Sequence, residues 1–358
     1  MNKHKTVLQA AGMIMVASVL ATFPSVKTAH AQDWRRAVAL AGTWKFEIGD
    51  KPQYRERDFD DSKWDKIRVP GAWENQGFPG YDGYAWYRRS FHTPAEAEEF
   101  LLYLRLGSID DVDETYVNGK MVGYQGEMPP AYATAYNISR QYLIPAAFLD
   151  PSGENVIAIR VYDDEIAGGI TQGDVGIYFS PDQMELTMPL NGPWRLNMKD
   201  ERQFADPDWD DSGWQEVAVP SFWDSYGYKN YDGVGWYRTE FRLPPNLADE
   251  KLILLLGRID DVDQVYLNGK FLGKTGPWPE REGYRGLYGD HYLQVRAYFI
   301  PKDMLLPNQK NVIAVRVIDV TLHGGIWDGP VGLATRRQYM TWQDRNSSAQ
   351  DFLWRLFK

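Results

Sequence analysis

The chain repeats one stretch of sequence almost unchanged. "LGSIDDVDETYVNGKMVG" occupies residues 106–123, and "LGRIDDVDQVYLNGKFLG" occupies residues 256–273. In each copy alternating polar and apolar residues lead to an Asn-Gly pair, at 118–119 and at 268–269. Asn-Gly supplies the two consecutive positive φ angles that a type I′ turn needs. The stretch therefore predicts an antiparallel β-hairpin in each half of the chain.

The repetition extends far beyond the hairpin. With a shift of 150 residues, positions 44–126 match positions 194–276 without a gap, with 35 identities in 83 positions. The second copy then holds six additional residues, after which "NVIAIRV" (155–161) matches "NVIAVRV" (311–317). Chance does not produce so many identities, so the sequence indicates a duplicated domain.

Both copies have the composition of a β protein. Short runs rich in β-branched residues alternate with Gly, Pro and Asp, which predicts strands joined by turns. We therefore expect an all-β fold of two tandem antiparallel jelly-roll β-sandwiches. Ser348 followed by Asp351, with Phe352 and Leu353 on one face, predicts a short C-terminal helix that docks on its own domain or binds a partner.

The first 31 residues have the features of an export signal. Lys3 and Lys5 precede an apolar stretch, and Ala29 and Ala31 form an A-x-A cleavage motif. We expect a bacterial protein that is periplasmic or secreted, with no membrane span after cleavage. The predicted organisation is a signal peptide at 1–31, a first jelly-roll domain at 32–185, a second at 186–337 and a C-terminal tail at 338–358, predicted to be helical.

The composition limits the classes of molecule that the protein can be expected to bind. The chain has no cysteine, so its stability must come from a packed core even though export would allow disulfides. A net charge of −10 argues against nucleic acid, whose phosphates require clustered Lys and Arg. Aromatic residues make up 14% of the chain, enough both for a core and for stacking on a sugar.

Three segments carry a family resemblance. "VPGAWENQGFPGYDGYAWYRRSF" (69–91), "GSIDDVDETYVNGKMVG" (107–123) and "NVIAIRVYD" (155–163) resemble the galactose-binding-like jelly roll of β-galactosidase-type glycoside hydrolases. They resemble still more closely the jelly-roll insert of sialate O-acetylesterases. The resemblance implies that fold twice, over nearly the whole mature chain. Both families keep their chemistry in another domain, and we find neither room for an α/β barrel nor a nucleophile motif.

Three acids stand within four residues of each repeated stretch, and such like charges need compensation. They are Asp110, Asp111 and Asp113 in the first copy, and Asp260, Asp261 and Asp263 in the second. A structural role, with bonds to loop backbone or ion pairs to Arg88 or Arg238, is our first expectation. A structural calcium ion and direct contact with a sugar are the alternatives. No other cofactor, and no further metal site, is expected.

Loop 71–83 and its twin 221–233 are the first candidates for a sugar site. Each places a Trp beside a carboxylate, which suits the C–H face and the hydroxyls of a sugar, although both Trp residues can equally be core. The resemblance implies that this loop, together with the loop ending in Gly-Gly-Ile, approaches the sugar. The candidates are Trp73, Glu74, Asp82, Trp223, Asp224 and Asp232.

The two copies differ most in two loops. The longer segment "PWPEREGYRGLYGDHY" (277–292) is aromatic and Gly-rich, which is typical of a binding loop or of a plug over the other domain. The Gly-Gly-Ile loop is also more aromatic in the second copy. We therefore expect the second copy to hold the better ligand site. Its added candidates are Trp278, Tyr284, Tyr288, His323, Trp327 and Asp328.

Taken together, the sequence predicts an exported, non-catalytic carbohydrate-binding protein of polysaccharide or glycoside metabolism, with a glycan or oligosaccharide as ligand. One alternative is a glycoside hydrolase or an acetylesterase-related hydrolase that uses carboxylates of the sandwich itself. Another is an accessory module beside a separate catalytic chain. An open groove between the aromatic loops would favour ligand binding, whereas loops that pack against each other would not. The hydrolase carboxylates would come from Glu74, Asp82, Asp163, Asp164 and Glu165.

Overall fold

The computed structural model describes residues 33–278, 289–321 and 323–346. Within these ranges the chain consists of antiparallel sheets and one α-helix, which confirms the predicted all-β class. No helix in these ranges is long and apolar enough to cross a membrane. The predicted signal peptide and the predicted helix start at Ser348 lie outside the described residues.

The first half of the described chain forms two sheets. Its strands are β1 (Arg35–Ala39), β2 (Gly42–Ile48), β3 (Asp65–Val69), β4 (Gly83–His92), β5 (Leu102–Asp110), β6 (Val112–Val117), β7 (Lys120–Gln125), β8 (Ser139–Ile144), β9 (Glu154–Asp163), β10 (Gly169–Gln172) and β11 (Gly176–Phe179). One sheet has the order β3-β2-β4-β9-β6-β7. The other has the order β1-β11-β5-β10, with β8 also paired to β5.

The second half is built in the same way. Its strands are β12 (Met188–Pro189), β13 (Gly192–Asn197), β14 (Gln215–Val219), β15 (Gly233–Arg242), β16 (Leu252–Asp260), β17 (Val262–Leu267), β18 (Lys270–Thr275), β19 (Val295–Phe299), β20 (Lys310–Asp319) and β21 (Gly325–Thr335). The six-stranded sheet has the order β14-β13-β15-β20-β17-β18, which repeats the first six-stranded sheet strand for strand. The smaller sheet has the order β12-β21-β16-β19.

The predicted hairpins are present at β6–β7 and β17–β18. Asn118 and Gly119 have φ angles of 50° and 80°, and Asn268 and Gly269 have φ angles of 50° and 77°. The residues that flank each Asn-Gly pair are hydrogen-bonded partners across the two strands, so each loop is two residues long. The Asn-Gly prediction is confirmed in both copies.

The main core of each half lies between its two sheets. Alternate residues of β5 (Leu102, Leu104 and Leu106) point into it and are almost completely buried, among residues of the facing sheet. Leu252, Leu254 and Leu256 of β16 do the same in the second half. Burying one such side chain stabilises the fold by about 1.5–3 kcal/mol, so this alternation is a large part of what holds a chain without cysteine together.

A buried arginine fixes the segment that covers the outer face of each six-stranded sheet. Arg88 donates from Nε to Asp61 at 2.9 Å and from Nη1 to the backbone oxygens of Tyr54 and Glu56 at 2.6 and 2.9 Å. Arg238 repeats this arrangement in the second half with Asp211 at 2.7 Å. Arg88 and Arg238 therefore do not pair with the acid triplets, and that expectation is wrong.

The third acid of each triplet pairs with a different arginine. Arg140 on β8 donates from Nε to Asp113 at 2.7 Å, and both side chains are fully buried. Thr115 and Tyr142 donate to the other oxygen of Asp113 at 2.8 and 2.9 Å. The remaining donors of Arg140 bind backbone oxygens, including that of Asp111 at 2.9 Å. Asp113 is thus a structural anchor with no free lone pair directed at solvent.

The helix α1 (Arg336–Asn346) follows β21 directly. The backbone N–H of Gln338 donates to the hydroxyl of Thr335 at 3.2 Å, and the backbone N–H of Thr335 donates to the side chain of Gln338 at 2.9 Å. This reciprocal pair is a capping box, readable in the sequence as Thr-x-x-Gln. The helix packs Tyr339 and Trp342 against its own sandwich. The helix predicted from Ser348 onward stays a prediction.

We expect Arg140→Met to lower the free energy of unfolding by about 3–5 kcal/mol, because it leaves the Asp113 carboxylate buried without its charge partner. The control is Lys310→Met, which removes an ion pair to Glu240 whose two side chains are 47% and 50% exposed. That change should cost at most about 1 kcal/mol. Urea denaturation followed by tryptophan fluorescence measures both. Equal losses for the two variants would contradict the anchoring role of the buried pair.

Candidate ligand site

The two Trp residues proposed as stacking platforms are core residues. Trp73 is 0% exposed and its indole N–H donates to the backbone oxygen of Tyr81 at 3.0 Å. A Cβ atom at Gly168 would lie 2.1 Å from the Trp73 ring, so the loop can pass over the ring only as glycine. Trp223 is 1% exposed and lies under Gly324 in the same way. Neither ring offers a face to a sugar, and the core alternative holds.

The carboxylates beside these tryptophans hold the Gly-Gly-Ile loops. One oxygen of Glu74 accepts the backbone N–H of Gly168 at 3.0 Å, and the other oxygen is buried without a hydrogen-bond partner. Asp224 accepts the N–H of Gly324 at 3.3 Å with one oxygen and also keeps the other unpartnered. Each carboxylate therefore closes a loop and retains one free acceptor.

Three acids converge at one end of the first sandwich, and we call them the first acidic cluster. Asp110, Asp111 and Asp163 each place a carboxylate oxygen within 4.8 Å of the others. They come from the ends of different strands. Asp110, at the end of β5, pairs with Gly169, and Asp163, at the end of β9, pairs with Gly83. Asp163 is fully buried, and neither of its oxygens has a hydrogen-bond partner.

These neighbouring carboxyls have different proton affinities. Burial, followed by the charges of Asp111 and Asp110, raises the pKa of Asp163 to about 8. Burial and the charge of Asp111 raise the pKa of Asp110 to about 6. Burial also acts to raise the pKa of Asp111, but hydrogen bonds from Thr134 and from the backbone N–H of Asp164 outweigh it and lower that pKa. The cluster thus combines a carboxyl that retains a proton with one that is readily ionised.

Partly exposed tyrosines border the first acidic cluster. Tyr132 and Tyr162 are in edge-to-face contact at 5.7 Å between ring centroids, and Tyr84 lies 4.8 Å from Tyr162. We call these three residues the tyrosine rim. Beyond it, the loop tips carry Tyr136, which is 56% exposed, and Ile166, which is 84% exposed. Acceptor oxygens and accessible aromatic edges are therefore adjacent at this end of the first sandwich.

The second sandwich has an equivalent cluster of Asp260, Asp261 and Asp319. Here Asp319 accepts the backbone N–H of Thr321 at 3.1 Å, and Asp261 accepts the N–H of Val320 at 3.1 Å. Burial and the charge of Asp260 raise the pKa of Asp319 to about 9, and burial and the charge of Asp261 raise that of Asp260 to about 9. The second cluster is better satisfied by backbone donors than the first.

The first sandwich covers the second cluster with Tyr124 of β7. Tyr124 is 3% exposed, and its ring contacts His323, which also packs on Phe222. Burial raises the pKa of the Tyr124 hydroxyl, and the nearby charges of Asp224 and Asp319 raise it further. Burial lowers the pKa of His323 to about 3, so this imidazole is neutral at physiological pH. His323 is therefore a packing residue between the two halves.

Trp327 and Asp328 also serve packing. Trp327 stacks on Phe222 with 5.4 Å between centroids and 6° between planes. Asp328 accepts the hydroxyl of Tyr103 from the first sandwich at 2.7 Å and pairs with Arg258. In the Gly-Gly-Ile loop of the second copy, these side chains and His323 therefore make packing contacts. Residues 279–288 of the aromatic segment lie outside the described residues, so the choice between a binding loop and a plug, and the better ligand site in the second copy, stay predictions.

The remaining candidate site residues lie in different parts of the chain. Trp278 is partly buried and lies over Arg316, 4.0 Å from the ring centroid to the guanidinium carbon. Tyr284 and Tyr288 lie outside the described residues. Asp82 and Asp232 are exposed, and their charges contribute to the raised pKa values of Asp163 and Asp319 respectively. Of the sequence candidates, Glu74 and Asp82 are the ones that lie near the first acidic cluster, at one end of the first sandwich.

The two copies carry different residues at the loop positions near their acidic clusters. Where the second copy has Phe222, His323, Trp327 and Asp328, the first has Ala72, Ala167, Thr171 and Gln172. In the second copy, His323 and Asp328 contact Tyr124 and Tyr103 of the first sandwich, and Phe222 packs against His323 and Trp327. The equivalent residues of the first copy are not aromatic, so its Gly-Gly-Ile loop places no aromatic side chain at its acidic end.

The raised pKa of Asp319 makes stability depend on pH. Its folded value of about 9 lies above the ordinary value of 3.8, so the stability that it contributes is complete below about pH 4 and is lost as pH rises toward 9. We expect Asp319→Asn, which cannot ionise, to melt at a higher temperature than the wild type at pH 9, with a much smaller difference at pH 4. Scanning calorimetry at the two pH values measures this. The exposed Asp249→Asn is the control, and a wild-type-like pH profile for Asp319→Asn would refute the assignment.

Residues 199–323 match the family model described as the second all-β domain of β-galactosidase. A putative β-glucuronidase of Formosa agariphila is 27% identical over 131 residues, which cover 33% of this chain and 12% of that protein. The β-galactosidase of Priestia megaterium is 25% identical over 177 residues, which cover 40% of this chain and 16% of that enzyme. This chain therefore corresponds to a small part of these curated relatives.

Solved structures give a distant match over more of the chain. The β-glucuronidase of Bacteroides uniformis aligns with 82% of this chain and 28% of its own, at 17% identity and a TM-score of 0.37. A β-glucuronidase of an uncultured Clostridium species aligns with 71% of this chain and 39% of its own, at 13% identity and a TM-score of 0.32. The family model and the curated relatives thus show that part of the chain is similar to an all-β domain of the β-galactosidase type.

Proposed function

We propose that this chain is an exported, non-catalytic carbohydrate-binding protein whose ligand site is the acidic end of the first sandwich. The observation that carries the proposal is the juxtaposition of unpartnered carboxylate oxygens on Glu74 and Asp163 with the partly exposed tyrosine rim. The similarity to β-galactosidase-type domains supports a role in glycoside or polysaccharide metabolism. Export rests on the signal sequence at 1–31.

The chemistry of this end suits a sugar. Carboxylates accept hydrogen bonds from hydroxyls, and aromatic rings contact the apolar C–H face of a pyranose. Each net hydrogen bond contributes about 1 kcal/mol, and one ring contact contributes a similar amount. A few such contacts give a Kd in the millimolar-to-micromolar range, which is weak binding for a single module.

In this proposal the chain is a tandem pair of galactose-binding-like domains that arose by duplication, and the two copies have diverged in role. The first keeps an open acidic end. The second presents its own acidic end to Tyr124, and ion pairing between Lys229 and Glu114 together with a hydrogen bond from Ser225 to the backbone of Met121 joins the halves. The second copy thus acts mainly as a scaffold for the first, and for a separate catalytic chain where one is engaged.

We expect Tyr132→Ala and Glu74→Gln each to weaken glycan binding about tenfold, the equivalent of about 1.4 kcal/mol. A glycan array identifies a bound sugar, and calorimetric titration with that sugar measures the affinity. The control variants are Trp327→Ala and Asp224→Asn, which alter the second copy and should leave the affinity unchanged. Loss of binding in these controls, with wild-type affinity in Tyr132→Ala, would move the site to the second copy.

A hydrolase is the second candidate, and one observation favours it. The pKa values of Asp163 and Asp111 are shifted in opposite directions, which is the pattern of a general acid beside an ionised carboxylate. Against it, glycosidase carboxyls stand about 5–9.5 Å apart on either side of the sugar. In this cluster one oxygen of each carboxylate lies within 4.8 Å of the others, which is closer than that spacing.

We therefore expect no turnover of nitrophenyl glycosides or nitrophenyl acetate by the purified protein, measured by nitrophenol release over several hours at pH 5–8. The physical reason is the narrow spacing of the carboxylates together with the absence of a recognisable nucleophile motif in the sequence. A rate that Glu74→Gln or Asp163→Asn abolishes, and that Asp319→Asn preserves, would establish the hydrolase instead.

A further inference from the structure

We propose that the first acidic cluster is a divalent cation site with the ligand chemistry of Ca²⁺, formed by Asp110, Asp111 and Asp163. This inference goes beyond carbohydrate binding and does not depend on it, because the ion alone is the ligand. Three clustered acids would not carry the proposal without further evidence. The additional observation is the state of Asp163.

Asp163 is a buried carboxyl group without a partner. It is 0% exposed, and neither oxygen accepts a hydrogen bond from any described residue. Leaving such a group unsatisfied costs several kcal/mol, and buried polar groups in native proteins nearly always have a partner. At least one oxygen of Asp163 lies within 4.8 Å of oxygens of Asp110 and Asp111, so its free acceptors are directed into a concentration of negative charge. A cation at that point satisfies all three groups.

The spacing of the oxygens fits calcium. Ca²⁺ binds oxygens at about 2.3–2.6 Å, so two ligands on opposite sides of the ion are at most about 4.6–5.2 Å apart. Each of the three carboxylates places an oxygen within 4.8 Å of the other two, which is close enough for one such ion to bind all three. The donors are all oxygens, which are the ligands that hard cations take.

The remaining ligands of the ion are available. Ca²⁺ takes six to eight oxygens, so three carboxylates leave positions for water, and Glu74 has a free oxygen whose charge already acts on both Asp110 and Asp163. Asp110 is only partly buried, so a hydrated ion can reach the cluster from solvent. Asp113 takes no part, because Arg140, Thr115 and Tyr142 occupy its oxygens.

The second cluster provides a natural comparison. Asp319 there accepts a backbone N–H, and the charges of its neighbourhood act on Tyr124, which is contributed by the first sandwich. One oxygen of Asp319 has no partner, whereas both oxygens of Asp163 have none. The same residue types in the same fold thus differ in the number of free acceptors, which is larger in the first cluster.

The experiment is titration of the full-length protein, freed of metal with chelator, with CaCl2 by calorimetry and with Tb³⁺ by luminescence excited through tyrosine. The tyrosine rim is close enough to the cluster to sensitise a bound Tb³⁺. We expect one ion per chain and a higher melting temperature with Ca²⁺, because a ligand of the native state stabilises it. Asp163→Asn and the partly exposed Asp110→Asn should each weaken binding at least tenfold, whereas Asp319→Asn should bind as the wild type does.

Circular dichroism confirms that each variant is folded, and Asp110→Asn keeps the test decisive where Asp163→Asn fails to fold. Absence of heat and of sensitised luminescence in the wild type would overturn the proposal, as would a loss in Asp319→Asn equal to that in Asp163→Asn. No sugar is present in these titrations. A failure of cation binding therefore leaves the carbohydrate-binding proposal standing, and a failure on the glycan array leaves the cation site standing.

Discussion

The buried ion pair between Arg140 and Asp113 is the interaction on which the acidic end of the first sandwich depends. Asp113 fixes the guanidinium, and the guanidinium in turn binds the backbone oxygen of Asp111 at 2.9 Å. Arg296 repeats this with Asp263, and with the backbone oxygen of Asp261 at 2.8 Å. Fixing that backbone sets the direction of the two preceding acids. The third acid of each triplet therefore forms the buried ion pair, and this pair holds the backbone of the two acids before it.

The sequence predicted those parts of the fold that neighbouring residues determine. Asn118 and Gly119 specify a turn through their own backbone angles, and alternating residues specify strands. The roles of the acids were not predictable in this way, because Arg140 lies 27 residues from Asp113 and Asp163 reaches the cluster only through strand register. Trp73 shows the same limit. A Trp-Glu pair in a loop suits a sugar, yet whether the ring is buried depends on a distant glycine that no local pattern reveals.

Loop residues that differ between two similar halves of a chain can have two roles that look alike in the sequence. Aromatic residues that appear in one copy alone can contact a ligand, or they can contact the other copy. Here His323 does the latter, since it contacts Tyr124, whereas Trp327 stacks on Phe222 of its own copy. Small residues such as Ala167 mark the uncovered end. In tandem repeats the smaller side chain is therefore as informative about an open site as the larger one.

The contact between the two sandwiches is head-to-tail, because an edge of one copy meets the acidic end of the next. Contacts of this kind propagate in one direction, and every copy after the first has its end covered by its predecessor. Position 274, the counterpart of Tyr124, is an exposed lysine, so the equivalent edge of the second copy is polar. In the proposed function, the second copy therefore supports the binding module of the first copy and adds no second site.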